Sequence, residues 1–232
     1  MQSKRDQRHG GLSARLGSLA YRAAQRAMTL DVSRLMCLDA ANVQCVPVDE
    51  RFSFRFLNAA EVRAFARDAQ NDLTSAFAER MRQGRDLCYA ALDGRMLAGY
   101  AWLALESIEA EQNRGRSANS GVAASFGSDT AFVYRAFTRE EFRGRHLYAA
   151  CLVRALQDLS VQGIGKLFVT ADWTNRAARA GCRRAGCREL GSIARFGWRR
   201  AMFTVTPPGS AAQGIQFGSR VRPHVRTCLV KA

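Results

Sequence analysis

The first half of the chain alternates between patterns typical of strands and of helices. Residues 52–57 (FSFRFL) alternate apolar and polar side chains, which predicts a strand with one buried face. Asn58 is suited to cap the helix that the next residues predict, and a second helix is predicted over 73–84. Two apolar runs on either side of Asp93 and Gly94 then predict a β-hairpin.

The second half continues this alternation with longer elements. A strand is predicted over 130–138 (TAFVYRAFT), a helix over 146–162, and another strand over 166–172 (KLFVTAD). Residues 175–186 (NRAARAGCRRAG) predict a further helix, and residues 187–205 predict a closing pair of strands. The order of elements is that of a mixed α/β protein.

Four other segments have less regular patterns. Apolar positions over 12–30 recur at helical spacing beside arginines, which predicts a helix that either packs on the domain or lies on an anionic membrane surface. Residues 32–38 predict a short strand or an apolar linker. Residues 110–129, rich in Ser, Gly and Ala, predict a long loop that is either disordered or a lid, and 214–221 predict an extra strand. We therefore divide the chain into an N-terminal amphipathic helix and linker (1–47), a main domain (48–206) and a basic C-terminal tail (207–232).

The charge of the chain is unusual for its length. It has 35 basic and 20 acidic residues, a net charge of +15, and its only lysines are Lys4, Lys166 and Lys231. Such a balance favours anionic partners, namely phosphorylated cofactors, acidic membrane surfaces or nucleic acid. Nucleic acid is the least favoured of these, because no basic stretch is interleaved with aromatic residues.

Cysteine and histidine spacing argues against a metal centre. The seven cysteines form no CxxC pair, and the three histidines lie far apart in the sequence. We therefore expect no zinc site and no disulfide framework, and a reduced, cytoplasmic setting. No run of apolar residues approaches the length of a membrane span, and the N-terminus lacks the pattern of a secretory signal.

Arg143, Gly144 and Arg145 stand where a predicted strand gives way to a predicted helix. One interpretation is a solvated basic turn. The other is a phosphate site, because the first N–H groups of a helix have no internal partner and carry partial positive charge. Glycine would let the backbone approach the anion, and the arginines would add charge.

Two motifs together point to a known family. The stretch TREEFRGRHLY (138–148) resembles the pattern Arg-Gly-x-Gly-x-Gly or Ala that opens a helix after a strand in the GCN5-related N-acetyltransferases (GNAT family). The stretch 175–187 resembles the same family's later segment, Asn-x-x-Ala-x-x-aliphatic-Tyr-x-x-x-Gly-Phe. Both occur in order and at a suitable separation, and the resemblance covers residues 50–206.

This resemblance implies an α/β fold with a mixed, mostly antiparallel central sheet, splayed central strands and flanking helices. It also implies acetyl-CoA, or another acyl-CoA, as the cofactor. The pantetheine arm would pair with the strand near Phe137 and Thr138, and Asn175 would contact that arm or order the second helix. The resemblance places the pyrophosphate on the turn formed by Arg143, Gly144, Arg145, His146, Leu147 and Tyr148.

Several positions depart from the family pattern. His146 and Tyr148 replace small residues, and His146 is expected either to donate to a phosphate or to cap the helix. Cys182 replaces the tyrosine that often protonates the departing thiolate, so it is either a general acid or a small packed side chain. Phe132 stands where some members carry a glutamate base. The role of base is then left to Tyr134, Asp129, Glu106 or water.

Two functions follow as hypotheses. The first is a cytoplasmic N-acyltransferase, acetyl-CoA being the donor and the acceptor a primary amine of a small molecule, either anionic or an amino sugar. The second is a catalytically degenerate GNAT-fold module for binding or regulation. It would make peripheral contact with the inner membrane face through residues 12–30. The oligomeric state is not indicated by the sequence.

Overall fold

A computed structural model describes residues 20–21, 23–24, 28–115, 120–198 and 201–218. Eleven strands lie in these residues: β1 Thr29–Asp39, β2 Phe52–Leu57, β3 Asp86–Asp93, β4 Met96–Leu105, β5 Ser107–Ile108, β6 Ala123–Phe126, β7 Thr130–Thr138, β8 Lys166–Asp172, β9 Arg188–Trp198, β10 Ala201–Val205 and β11 Ile215–Gly218. The α-helices whose bounds lie in the described residues are α1 Ala59–Phe65, α2 Ser75–Arg82, α3 Leu147–Ser160 and α4 Arg176–Ala185.

Eight of the strands form one sheet in the order β10-β9-β1-β8-β7-β4-β3-β2. Every neighbouring pair is antiparallel except β7 and β8, which are parallel. A parallel pair needs a crossover connection, and α3 provides it. Strands β11, β6 and β5 form a second, smaller sheet. The mixed, mostly antiparallel sheet with flanking helices confirms the predicted fold class.

Most of the predicted elements are present. The β3–β4 hairpin, the β9–β10 pair, α3 and α4 all form within the predicted segments. Asn58 caps α1 in a capping box, in which its side chain accepts from the N–H of Glu61 and the Glu61 side chain accepts from the N–H of Asn58.

Strand β1 is the main difference from the sequence interpretation. Residues 32–38 predict a short strand or an apolar linker, whereas Thr29–Asp39 form an eleven-residue strand between β8 and β9. Residues 35–38 are buried in succession, as expected for a strand covered on both faces. The predicted domain boundary between residues 47 and 48 would therefore assign β1 to a different segment from β8 and β9, the strands to which it is hydrogen-bonded.

The predicted N-terminal helix lies largely outside the described residues. Residues 20–21 and 23–24 are helical, but Thr29 and Leu30, assigned to that helix from the sequence, begin β1. Tyr21 is buried: its hydroxyl accepts from the N–H of Val32 at 2.8 Å, and its ring meets that of Trp173 edge to face. In the described part of the chain, no helix has the length and apolar character needed to cross a membrane.

The loop predicted over 110–129 is only partly irregular. Residues 123–126 form β6, which pairs with β5 and with β11. The extra strand predicted within 214–221 forms as β11, over Ile215–Gly218. Residues 116–119 and the C-terminal tail beyond residue 218 lie outside the described residues.

The core lies on both faces of the large sheet. On one face α3 buries an almost continuous row of side chains, including Leu152 and Leu156, against β3, β4, β7 and β8. On the other face, α1 and α2 cover Trp102 and its neighbours, and the smaller sheet covers Phe132 and Phe168. The sheet is thus the middle of three layers, and its strands are fixed from both sides.

Candidate functional site

The parallel strands β7 and β8 separate halfway along their length. They pair over Thr130–Val133 and Lys166–Val169, and no pairing continues beyond those residues. The β4–β7 register shifts at the same point, so that Tyr134 is an extra, unpaired residue in β7. A bulge of this kind bends its strand and redirects side chains. The predicted splaying of the central strands is therefore present, and a cleft opens on each side of it.

The larger cleft lies between the ends of β7 and β8 and the helices α3 and α4. Its volume is about 810 Å³, and we call it the α3 cleft. Of the site residues predicted from the sequence, Arg145 and Cys182 do not line it. The others do: Tyr134, Phe137, Thr138, Arg143, Gly144, His146, Leu147, Tyr148 and Asn175.

The N-terminus of α3 opens onto this cleft without a side-chain cap. Gly144 and His146 both have left-handed backbones, with φ of 80° and 62°, and the His146 side chain makes no capping hydrogen bond. The first helical hydrogen bond runs from the N–H of Ala150 to the carbonyl of His146. The three preceding N–H groups of the helix therefore have no partner within it, and their partial positive charge suits a phosphate.

Helices α1 and α4 do have side-chain caps, whereas α2, which does not border this cleft, begins after Thr74 without one. Asn58 caps α1, and the Asn175 side chain accepts from the N–H of Ala178 at 3.0 Å at the start of α4. Asn175 thus orders the start of α4, which is one of the two roles that the resemblance implies for this residue. The contrast leaves the start of α3 as the anion-binding feature of the α3 cleft.

The arginines of the turn have unequal positions. Arg143 lines the cleft, and its side chain, 63% exposed, lies 3.7 Å from the carboxylate of Glu140. Arg145 is exposed and does not line the cleft. Arg184, near the end of α4, does line it and was not singled out from the sequence. Among the described residues that line the cleft, the positive charges are those of Arg143 and Arg184.

One face of α4 consists of small residues and borders the cleft. Ala177, Ala180 and Gly181 recur at helical spacing, and Arg184 extends the same face. A Cβ on Gly181 would lie 2.6 Å from the Tyr148 ring of α3, so this position has no room for a larger side chain. The small residues of the NRAARAGCRRAG segment are the sequence signal for this face.

The second half of β7 provides a free strand edge along the cleft. Phe137 and Thr138 pair with Tyr100 and Gly99 of β4 on one side. On the β8 side, the described residues contain no strand paired to β7 beyond Val133. Main-chain N–H and C=O groups on such an edge can pair with the amides of an extended ligand.

Tyr134 lines the cleft, but its hydroxyl has a fixed partner. It donates to the buried carboxylate of Asp86 at 2.8 Å, and Asp86 in turn binds Arg80 at 2.5 Å. Burial, and next the charge of Asp86, raise the pKa of Tyr134 well above its usual value. Since the hydroxyl stays protonated and donates inward, the geometry opposes the role of base predicted for Tyr134.

Asp129 and Glu106, the two carboxylates that the sequence offers as alternative bases, lie away from the splay. Asp129 precedes β7 at the end opposite to the splay and lies 3.8 Å from Lys166. Glu106 occupies the turn between β4 and β5. Neither residue lines either cleft.

Cys182 is fully buried between α3 and α4. Its Sγ lies 3.3 Å from the hydroxyl of Tyr148, and a hydrogen bond with Cys187 lowers the pKa of Cys182. The thiol does not line the α3 cleft. The sequence allows two roles for Cys182, a general acid or a small packed side chain. Its buried position agrees with the packed side chain.

A second cleft of about 430 Å³ lies on the other side of the splay, and we call it the β1 cleft. Asp31 and Ser33 of β1 line it, together with residues of β8, β9 and the loop over 113–115. It shares four lining residues with the α3 cleft, so the two clefts meet at the splay: Tyr134, Thr170, Asp172 and Asn175.

Sequence reasoning missed the two carboxylates of the β1 cleft, Asp31 and Asp172. Asp172 ends β8, and a polar residue at the end of an otherwise apolar strand was an available signal. Asp31 had no comparable signal, because its position depends on β1 pairing with strands far along the chain.

Solved structures similar to this one share its α/β fold. A GCN5-related N-acetyltransferase from Kribbella flavida matches with a TM-score of 0.50 and 15% identity, over 79% of this chain and 64% of that one. An acetyltransferase of the GNAT family from Colwellia psychrerythraea matches with a TM-score of 0.51 and 14% identity, over 78% of this chain and 62% of that one. The chain thus spans less than two thirds of the length of either.

These likenesses identify the architecture. The protein is a mixed α/β protein with a splayed central sheet, and its fold is that of the GCN5-related N-acetyltransferases, as the sequence motifs indicate. No family model and no curated protein matches the sequence.

Proposed function

We propose that the protein is an acyl-CoA-dependent N-acyltransferase that uses acetyl-CoA and acts on a primary amine of a small molecule. The observation that carries the proposal is the uncapped N-terminus of α3, which opens onto the same cleft as the unpaired edge of β7. An anion site next to a free strand edge suits a ligand with a pyrophosphate followed by an extended chain of amides.

The residues of the α3 cleft fit such a cofactor. The free N–H groups at the start of α3, with Arg143 and Arg184 nearby, would hold the pyrophosphate. The edge of β7 around Phe137 and Thr138 would align the pantetheine arm, and acetyl-CoA would supply the acyl group as a thioester. The small face of α4 leaves room for the arm.

The protein's main contribution to catalysis in this proposal is position. A neutral amine is a good nucleophile. Holding it close to a thioester at the junction of the two clefts would convert a bimolecular reaction into an effectively unimolecular one, which raises its rate. Main-chain N–H groups of β7 next to the Tyr134 bulge would polarise the carbonyl. The buried position of Cys182 and the inward hydrogen bond of Tyr134 leave neither of them in contact with the reacting groups.

Those same two positions favour a second candidate function. A GNAT-fold module that binds acyl-CoA without turnover would need no acid or base at the clefts, and here the Cys182 thiol is buried while the Tyr134 hydroxyl is bonded to Asp86. The membrane contact attached to this hypothesis involves residues 12–30, most of which lie outside the described residues.

Calorimetry and a thiol-release assay separate the two. Purified protein is titrated with acetyl-CoA and with CoA, and then assayed with a panel of amines: glucosamine, galactosamine, glutamate and cyclohexylamine. We expect both cofactor forms to bind and at least one amine to release CoA faster than water does. Binding without transfer to any amine would support the module, and absence of binding would overturn both functions.

A further inference from the structure

We infer that Cys182 and Cys187 form a redox-active thiol pair at the end of α4, which an oxidant of the low-molecular-weight disulfide class closes to an intramolecular disulfide. Neither thiol has a part in the proposed acyl transfer, so this inference goes beyond that function and does not depend on it. The pair is a site of covalent modification, and it is built by the way in which α4 ends.

The two cysteines occur in consecutive copies of one short motif. The tetrapeptide Ala-Gly-Cys-Arg occupies residues 180–183 and recurs at 185–188, with Arg184 between the copies. In a continuous helix, residues five apart do not share a face, because neighbours on a face are three or four residues apart. A break in the helix between the two copies is therefore needed to bring the thiols together.

Gly186 provides that break. It follows the last residue of α4 and has a left-handed backbone, with a φ of 99°. Its N–H donates to the carbonyl of Arg183 at 3.1 Å, and the N–H of Cys187 donates to the carbonyl of Cys182 at 2.9 Å. These two hydrogen bonds define the Schellman motif, in which the residue after the glycine turns back over the last turn of the helix. A Cβ on Gly186 would lie 2.5 Å from the carbonyl oxygen of Asn42, so the position also requires glycine for space.

The motif brings the two cysteines within the reach of a disulfide. Since the nitrogen and the oxygen of the Cys187–Cys182 hydrogen bond are 2.9 Å apart, standard main-chain dimensions put the two Cα atoms at most about 6.8 Å apart. Disulfides span Cα separations of roughly 4.4 to 6.8 Å. The side chains also meet, because a hydrogen bond joins the two thiols and both lie in the core cluster that contains the buried side of α3. The pair is thus already formed in the reduced protein.

Cys182 is the better nucleophile of the two. A hydrogen bond from Cys187, with a smaller contribution from the Tyr148 hydroxyl at 3.3 Å, lowers the pKa of Cys182 although burial opposes this. The same hydrogen bond between the thiols, and next burial, raise the pKa of Cys187. A thiolate is the species that attacks a disulfide, and a neighbouring thiol then resolves the mixed disulfide. The two cysteines therefore have the unequal acidities expected of an attacking and a resolving thiol.

The oxidation step is a balanced thiol–disulfide exchange. The Cys182 thiolate attacks one sulfur of the small disulfide, which forms a mixed disulfide and releases the other half as a thiolate. The Cys187 sulfur then attacks the Cys182 sulfur, which forms the internal bond and releases the second half. The two protons of the pair pass to the two released thiols, and two electrons pass from the pair to the small disulfide.

The pair differs from the other buried cysteines of the described residues in acidity and in access. Burial raises the pKa of Cys88 well above its usual value and that of Cys151 to about 12, so neither readily becomes a thiolate. Cys37 lies in the core cluster on the opposite face of the sheet from the pair. Cys187 is 9% exposed at the end of a helix, where the opening of one turn, rather than of the whole fold, admits a small oxidant.

The test uses the full chain with Cys45→Ser and Cys228→Ser, which remove an exposed thiol and one outside the described residues. Folded protein is equilibrated with glutathione and glutathione disulfide, alkylated, and digested with chymotrypsin, which cuts after Trp173 and Leu190 and releases one peptide with both cysteines. We expect this peptide to lose two hydrogens and both alkylation sites, and dithiothreitol to restore them. The equilibrium constant for closure should be at least about tenfold larger in the folded protein than in urea, because the fold holds the thiols together.

Single substitutions in the same background are the controls. Cys182→Ala and Cys187→Ala should each abolish the closed form. Cys151→Ala, which removes a thiol from the same core cluster, should close as its parent does. Two alkylated cysteines in the peptide at every glutathione ratio, a smaller advantage over urea, or a disulfide to Cys37 or Cys151 would each overturn the inference. Amine acetylation has no part in this measurement, so the failure of the transferase function would leave the result unchanged.

Discussion

The hydroxyl of Tyr148 lies 3.3 Å from the Sγ of Cys182, and this contact joins α3 to α4. Gly181 makes the contact possible, because a Cβ at that position would lie 2.6 Å from the Tyr148 ring. Tyr148 of α3 and Cys182 of α4, which both depart from the family pattern, therefore pack against each other. Together they form a structural pair in which the thiol is buried and does not line the cleft.

The first prediction concerns that pair. Cys182→Ala and Cys182→Ser should keep kcat at saturating acetyl-CoA within about threefold of the wild type, because the thiol does not reach the reacting groups. Both should lower the free energy of unfolding by about 1 kcal/mol, since a packed side chain is altered. Steady-state kinetics and denaturant unfolding measure the two effects. A fall in kcat of about a hundredfold with unchanged stability would restore Cys182 as the general acid.

The second prediction tests the uncapped start of α3. His146→Asp places a negative charge beside the free N–H groups, where it competes with a phosphate, and acetyl-CoA affinity should fall at least about tenfold. The melting temperature should stay equal or rise, because an acidic residue at a helix N-terminus is favourable. His146→Asn is the control: asparagine tolerates a left-handed backbone and carries no charge, so it should keep the affinity. Equal affinity for acetyl-CoA in the two variants would contradict the phosphate site.

A third prediction separates the two arginines of the turn. Arg143→Ala should weaken acetyl-CoA binding by about threefold to tenfold, a modest loss because the side chain is mostly exposed. Arg145→Ala should change the affinity by less than about twofold, as should Arg63→Ala on the exposed face of α1, the control for the loss of one charge. Calorimetry at fixed ionic strength gives all three values. A larger loss for Arg145 than for Arg143 would show that the turn binds the cofactor in another orientation.

The fourth prediction concerns alkaline pH. Burial is the largest cause of a raised pKa for each of the five tyrosines, and it raises that of Tyr100 to about 12. The unfolded chain releases these protons near pH 10, whereas the folded protein retains them. The stability that they contribute is therefore complete below about pH 10 and is lost as the pH rises through the folded values. The tyrosines are Tyr21, Tyr89, Tyr100, Tyr134 and Tyr148.

Two measurements check this behaviour. The near-ultraviolet absorbance of the folded protein should show no tyrosinate transition at about pH 10, and the denatured protein should show one. The free energy of unfolding should fall steadily above about pH 10. A tyrosinate transition near that pH in the folded protein would mean that the rings are more accessible than the structure shows.

The fifth prediction concerns β1. A chain that begins at Val48 lacks β1, which leaves β8 and β9 without their shared partner, so it should not unfold cooperatively. Leu35→Ala, which keeps the strand but removes buried atoms, should remain folded and lose about 2 to 5 kcal/mol of stability. Circular dichroism melts distinguish the two. Cooperative melting of the truncated chain would show that β8 and β9 pair with each other instead.

Local patterns explain what the sequence predicts correctly. The β3–β4 hairpin depends on residues that are close in sequence, and the Asn58 cap depends on a partner three residues away. The small face of α4 is likewise contained in a single helix. Elements of this kind carry their own signal, since turn chemistry and helical spacing act over a few residues.

Long-range pairing explains what the sequence missed. Residues 32–38 have an apolar pattern that suits a linker as well as a strand, and only the distant β8 and β9 decide between the two. Strand β6 is rich in alanine and therefore weak in strand propensity, so its pairing with β11 decides its structure. Asp31 was missed for the same reason, since the register of β1 against distant strands decides which side of the sheet this residue faces.

The central place of β1 also governs when the protein can finish folding during synthesis. Thr29–Asp39 leave the ribosome well before their partners, residues 166–172 and 188–197, have been translated. A strand that must wait for distant partners stays unpaired meanwhile, and contacts of such high sequence separation slow folding. The sheet and the β1 cleft therefore close only after β9 has been translated, and the nascent protein exposes an apolar strand until then.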